Sequence, residues 1–484
     1  MVFQNNVLSG AGGSGTAVHT IDQSIRFNGV DTPQLTRTPS SSGNLDKWTF
    51  SCWVKRGKLG QSGGGGSHQL LLSAGNDVNN FTFFGFRDSG SLPSGGVAES
   101  LNLVASVSGS TIFELSTTQV FRDPSAWYNI VGVYDSGNSV SSERCRVYIN
   151  GSRITEFNVE TYPSQNQDSD VNESGVVQRV GALNLGTNKG HLDGYLAEIV
   201  LIDGQALDPS SFGEYNSSGI WIPKDVSDLT FGTNGFHIDG RDSADLGDDE
   251  SGNGNDFTTS GLASHDQVPD SPTNNFCVMN PLDKTSTFST SEGNLKTSLG
   301  SAGSTHGIKG TIGVSTGKWY WEGRRNLANV YHCQVGATST EVSPNKLPPI
   351  NTPDNGGSTV GYWGTSLYKD GVAVQTGLAA STNGDIIGLA LDLDSTPNTV
   401  TFTKNGSALG TAVSVTSGFT WMPCEGSDTS GYTPTISTSH NFGQDGTMAG
   451  LITAGGNSDG NGVGNFKYSV PSGYLALCTK NLGS

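Results

Sequence analysis

The sequence predicts an all-β protein: two antiparallel β-sandwich (jelly-roll) domains joined by an acidic, Asp/Asn/Gly-rich connector. Three observations predict it. Short runs alternate apolar or aromatic residues with polar ones, the period of a half-buried strand. Asn-Gly pairs sit between such runs, the strongest local signal for a two-residue hairpin. Glycine is abundant at 68 of 484 residues, while helical periodicity is almost absent. Eight Trp, 13 Tyr and 20 Phe spread along the chain supply the bulk for real cores, so the low apolar content of 33% does not signal disorder.

Taken in order, residues 1–22 read as a Gly/Ser/Ala-rich arm, a frayed terminus or a segment that orders against a neighbouring subunit. A first sandwich is expected over 23–215. In "WTFSCWVK", Trp48, Phe50, Cys52 and Val54 share one face and Trp53 takes the other. The "GGGGS" at 63–67 is a flexible loop inside this block, because strand patterns flank it on both sides. "WYNIVGVY" (127–134) is a strand, and "CRVYINGSRITEF" (145–157) is a hairpin turning at Asn150-Gly151. In "DPSSFGEYN" (208–216), Asp208 caps a short helical turn that starts at Pro209. Residues 216–285 are the connector, where "IDGRDSADLGDDESGNGNDF" concentrates acids. A second sandwich spans 286–484, with "GKWYWEGRR", "VGYWGTSLYKDGVAV", "DIIGLALDLD" and the hairpin "FTKNGSAL".

Composition excludes several functions. Forty-four acids against 26 bases leave a net charge of -18. Such a surface does not track phosphates, so no nucleic acid is expected, and it does not dock on an anionic bilayer. No apolar run reaches the ~20 residues that span a membrane. The six cysteines form no CxxC pair, and Cys52 and Cys145, inside strand-like runs, are expected as small buried apolar residues. The opening "MVFQNNVLSGAGGSG" lacks the basic and apolar regions of a leader. A virion protein, made in the host cytoplasm, reconciles that opening with an outward-facing composition.

The first block resembles a laminin G-like, concanavalin A-type jelly roll. "SIRFNGVDTPQLTRTPS", "WYNIVGVYDSG…CRVYINGSRI" and "LDGYLAEIVLIDGQALDPSSFGEY" carry that resemblance. The second block resembles a SPRY-type β-sandwich on "GKWYWEGR", "VGYWGTSLYKDG" and "DIIGLALDLDSTPNTVTFTKNG". The pair looks like structural proteins of marine bacterial viruses. That resemblance implies lectin-like modules on a fibre or head appendage.

Glu198, in the apolar run "LDGYLAEIVLIDGQALDP", poses the enzyme question. A retaining glycosidase needs two carboxylates about 5–5.5 Å apart, which on a strand means acids two residues apart. Positions 196 and 200 are Leu and Val, so Glu198 is assigned to the fold. There is no HExxH or P-loop pattern either. No catalytic residues are expected and the chain is not expected to be an enzyme.

Sugar binding calls for an aromatic face with Asn or Asp for the hydroxyls. The candidates are Trp53, Asn79, Asn80, Tyr148 and Trp363, with 76–90 as a recognition loop. Asp239, Asp242, Asp245, Asp248, Asp249, Asn253, Asn255 and Asp256 have the oxygen chemistry of a Ca²⁺ loop without EF-hand spacing. A solvated connector with Asx turns is the alternative reading. The functional expectation is a fibre or appendage subunit that adheres to host-surface polysaccharide. A decoration or cementing subunit and a polysaccharide depolymerase are the alternatives. The arm and the SPRY-like domain would contact other virion proteins, and the subunit would be a homo-oligomer.

Overall fold

The structure is a computed structural model describing residues 19–60, 68–87, 97–186, 188–300, 305–327, 332–428 and 436–483. The expected arm up to residue 18, the Gly-rich loop at 63–67 and the end of the 76–90 loop lie outside the described residues. The chain divides into two compact units, with the boundary between Thr273 and Asn274. Both are built from antiparallel strands apart from one parallel pairing, Leu475–Ala476 on Lys318–Leu327, and Thr479–Leu482 is the one α-helix among the described residues.

The first unit is a sandwich of two eight-stranded sheets. One sheet has Trp127–Asp135, Lys47–Arg56, Gly194–Asp203 and Ser24–Phe27 at its centre. The other runs through Ser110–Val120, Ser100–Val107, Phe81–Arg87 and His68–Gly75. The alternation in "WTFSCWVK" is realised: Trp48, Phe50, Cys52 and Val54 are fully buried in the core between the sheets. Phe50 meets Phe84 of the opposite sheet edge-on, and Trp48 stacks on Tyr134. The hairpin after Cys145–Ile149 turns at Asn150 (φ 48°) and Gly151 (φ 76°), the paired positive angles of a type I′ turn.

The stretch expected as a connector is instead part of the two folded units: residues 216–273 belong to this sandwich, and Met279–Lys284 is a strand of the second unit. Phe236–Ile238 pairs with Gly194–Asp203, Thr258–Ser260 with Gln34–Arg37, and Gln267–Val268 with Ser24–Phe27. Charge pairing reinforces these edges. Arg26, wholly buried, bonds Asp266 at 3.2 Å, and Lys55, equally buried, bonds Asp270 at 2.8 Å. The composition reads as loop because these strands are only two or three residues long and sit between Asx turns. Thr258 pairs with Thr36 and Val268 with Ser24, both more than 200 residues away in the chain, and Ile238 pairs with Ile199, so no local signal marks these partners.

The outer face of the first sheet is also covered. The segment from Phe212 to Phe231 lays Phe212, Val226 and Phe231 on Val131, Val133, Val200 and Ile202. Asp208 caps the short turn Pro209–Ser211 by accepting from Ser210 N–H at 3.0 Å.

The second unit packs a seven-stranded sheet on a nine-stranded one. Trp319 and Trp321 enter the core between the sheets, while Tyr320 points to the other side and packs edge-on against Phe466. Asn405 and Gly406 repeat the type I′ turn of the first unit. All six cysteines are buried.

Candidate functional site

Glu198 sits where the Gly194–Asp203 strand bulges between Ala197 and Val200. Leu196 and Ile199 both face the core, and Ala197 and Val200 both face outward, so Glu198 is the inserted residue. Its φ of 47° is the left-handed geometry that such an insertion demands. Its Oε2 lies 3.2 Å from His237 Nε2 and 4.0 Å from His19 Nε2. Burial pulls the His237 imidazole down, but the Glu198 carboxylate outweighs it and holds the group above its ordinary value. Among the described residues the ion-pair partners of Glu198 are His237 and His19, so the residue shapes the strand and anchors His237.

The predicted aromatic platforms are not on the surface. Trp53 packs with Ile21, Ala197, Trp127 and Trp221. Tyr148 is covered by the Phe212–Phe231 segment. Trp363, at the end of its strand, is buried in the second unit. The alternation placed these rings correctly on one side of a strand, but it could not show that a later segment covers that side.

Asn79 and Asn80 fare differently. They lie in the turn between His68–Gly75 and Phe81–Arg87 and line or adjoin a groove of about 420 Å³. Asp77 organises the turn. Its carboxylate accepts from Asn79 N–H at 2.7 Å and Asn80 N–H at 3.0 Å, and from the Asn80 amide. The Asn79 contact is the main reason its carboxyl sits below the usual range. Asn80 Oδ1 in turn accepts from Ser108 N–H, tying in the neighbouring hairpin. The opposite wall comes from 167–176: Gln167, Asp168, Asp170 and Glu173, with Val107 and Val176 as the apolar part. Asp170 is partly buried and receives Thr82 Oγ1 at 2.9 Å, and burial pushes its carboxyl up to about 6. Tyr134 donates to Gln167 O at 2.7 Å, which fixes this wall to the end of the Trp127–Asp135 strand. The groove thus joins amides, carboxylates and a hydroxyl on a rigid frame, the chemistry that takes a hydroxyl-rich ligand. Its second wall escaped sequence reasoning, because "NQDSDVNES" reads as ordinary loop.

The acidic cluster is spent on the backbone. Asp239, Asp242 and Asp245 each accept the N–H two residues on, from Arg241, Ala244 and Gly247. Asp249 accepts from His237, Ser251 and Asn255 N–H, and Asp256 from Asp249 N–H. Asn253 donates to Gly232 O and Gly235 O, and Asn255 to Thr233 O and Gly235 O. Asn255 also accepts from Arg37. Asp248 is held above its usual value by its slight burial and the acids around it. These side chains are Asx-turn struts, the solvated-turn reading of this acidic run; among the described residues no group of three or more His, Cys, Asp or Glu is placed to hold a metal ion.

In the second unit the densest polar cluster is sealed. Glu425 is fully buried between His332 (2.6 Å) and His440 (3.0 Å) and takes hydrogen bonds from Thr297 and Thr438. With no exposure at Glu425 or His332, it serves the fold. Glu322, also buried, accepts from Lys467 N–H and Tyr468 N–H, pinning the C-terminal segment.

Residues 28–210 match the model of the concanavalin A-like lectin/glucanases superfamily, and residues 318–436 match the SPRY domain model. Among solved structures, the SPRY domain of human HERC1 is 22% identical, covering 34% of this chain and 96% of that one, with a TM-score of 0.28. A heptameric SAP-like pentraxin from Limulus polyphemus is 19% identical, covering 40% of this chain and 80% of that one, with a TM-score of 0.28. A human SPRY domain is 21% identical, covering 30% and 90%, with a TM-score of 0.22. No curated protein matches the chain.

Proposed function

We infer that this chain, a concanavalin A-like domain followed by a SPRY domain, is a non-catalytic glycan-binding subunit of a bacterial virus particle. Its place is a fibre or head appendage, where it adheres to host-surface polysaccharide. The groove of the first unit carries the reading: Asn80, Asp77, Gln167 and Asp170 offer donors and acceptors at fixed positions beside Val107 and Val176. Many copies on one particle would turn weak single-site affinity into firm attachment. The virion setting rests on the resemblance of this module pair to structural proteins of marine bacterial viruses. The SPRY domain and the N-terminal arm would then face other particle proteins or copies of this chain.

Two measurements test it. Asp77→Ala with Asn80→Ala should abolish retardation of the chain in gels containing host-type polysaccharide. Antibody-gold labelling of purified particles should mark fibre or appendage tips. Unchanged retardation would remove the groove, and uniform head label would favour a cementing subunit.

One observation favours a second reading. Asp77 and Asp170 line the same groove, and two carboxylates facing one saccharide are what a polysaccharide hydrolase uses. Release of reducing ends, lost in Asp170→Asn, would convert the proposed binding site into a catalytic one.

A further inference from the structure

The groove lies at one end of the Trp127–Asp135 strand. At the other end stands Tyr215, the one aromatic residue among the large, strongly exposed apolar side chains of the described residues, at 54% exposure. It belongs to a small hairpin, Gly213–Tyr215 paired with Trp221–Pro223. A ring left in water by chance is free to turn. This one is not. Its hydroxyl donates to Asn150 O at 3.0 Å and lies 3.2 Å from Ser152 Oγ. Its ring meets Trp221 edge-on, centroids 4.9 Å apart at 71°.

Trp221 is itself seated. Its Nε1 donates to Asn129 Oδ1 at 3.1 Å. A Cβ at Gly151 would come within 2.4 Å of the indole and one at Gly213 within 2.5 Å, so two glycines clear its bed. The Asn216 side chain closes the hairpin by accepting from Ser218 and Ile220 N–H. Two glycines, three asparagines and a tryptophan therefore fix one tyrosine ring that is 54% exposed. Ring immobilisation before binding removes part of the entropy cost of capture.

We propose that Tyr215 is a second saccharide contact, a stacking platform for the apolar face of a neutral pyranose, distant from the groove. The ligand class rests on the glycan-binding reading above. A flat ring with hydroxyl-bearing neighbours (Ser152, Asn150) suits a sugar, which has an apolar face and a polar rim. The net charge of -18 disfavours uronic or sialic residues. With the groove at the far end of the same strand, one long polysaccharide would be held at two points.

The test uses the full chain in affinity gels containing dextran, laminarin or a neutral galactan, with a short oligosaccharide of the same polymer titrated separately. Tyr215→Ala should weaken polymer binding about tenfold while leaving thermal stability unchanged, and Tyr215→Phe should retain most of it. Short-oligosaccharide binding at the groove should persist in Tyr215→Ala and vanish in Asp77→Ala/Asn80→Ala. Polymer binding unaltered by Tyr215→Ala overturns the platform and leaves the groove standing. Loss in the Tyr215 variant alone, with the groove variant intact, supports the platform and removes the groove. Failure of the natural chain to bind any of the three polymers overturns both.

Discussion

Lys55 Nζ and Asp270 Oδ2 stand 2.8 Å apart with no solvent access to either side chain. Trp127 Nε1 donates to the other carboxylate oxygen at 3.2 Å. The pair joins a central strand to a stretch whose composition reads as linker. Removing one partner strands a buried charge, which costs about 3–5 kcal/mol. Asp270→Ala should therefore lower the unfolding midpoint of the first unit sharply, measured by denaturant titration. A change confined to the second unit would contradict the domain boundary drawn here.

Acid should weaken the second unit through Glu425 and His332. Burial would raise the Glu425 carboxyl, but contacts with His332 and His440 overcome it and hold the group at about 2, below its ordinary 4.5. Its stabilisation is complete above pH 4.5 and is lost as pH falls toward 2. Burial lowers His332 from 6.5, so the unfolded chain takes a proton that the folded one refuses as pH drops through that value. Both effects have one sign. Calorimetry from pH 7 to 4 should show a falling midpoint, and Glu425→Gln should flatten the part below about 4.5.

Asp170 gives the groove a pH signature. Burial raises this carboxyl to about 6, so it gains its charge near neutrality. Ionised acceptors make stronger hydrogen bonds to sugar hydroxyls. Oligosaccharide affinity should tighten as pH rises through about 6, and Asp170→Asn should remove that step. Affinity independent of pH between 5 and 7 would place the ligand elsewhere.

Gly151→Ala tests the bed of Trp221. The position has φ 76°, and the new methyl would meet the indole at 2.4 Å. Left-handed strain and overpacking together cost about 1–3 kcal/mol, and tryptophan emission should shift as Trp221 is displaced. Gly175→Ala, with φ 78° but nothing near its Cβ, is the control and should cost only the backbone part.

Asp249→Ala should destabilise the first unit, because its carboxylate holds three backbone N–H groups. Chelator should leave that unit's midpoint where it was. A chelator-sensitive midpoint would restore calcium to this loop.

Much of the architecture was legible locally. Trp48, Phe50, Cys52 and Val54 alternate into the core, and both Asn-Gly turns adopt the predicted geometry. Local patterns carry only the period of a strand and the handedness of a turn. What covers the back of a sheet comes from distant chain, so the local pattern offers Trp53 and Tyr148 as candidate platforms although both are buried. The groove was half legible for the same reason: Asn79 and Asn80 announce a turn, while Asp170 is brought to it only by the packing of the 167–176 loop. Tyr215 lay hidden in "SSFGEYN", where a capped turn masked the two-strand hairpin that follows.

The return of Gln267–Val268 to Ser24–Phe27 also sets a schedule for biosynthesis. Ser24 waits for Val268, 244 residues later by their numbering. At a ribosomal pace of about 5–20 residues per second, that wait is roughly 10–50 s. During it the Ser24–Phe27 strand has an open edge, and Arg26 and Lys55 lack Asp266 and Asp270. A nascent chain in this interval is a natural client for a chaperone, and the sandwich closes only when the following domain is already being translated.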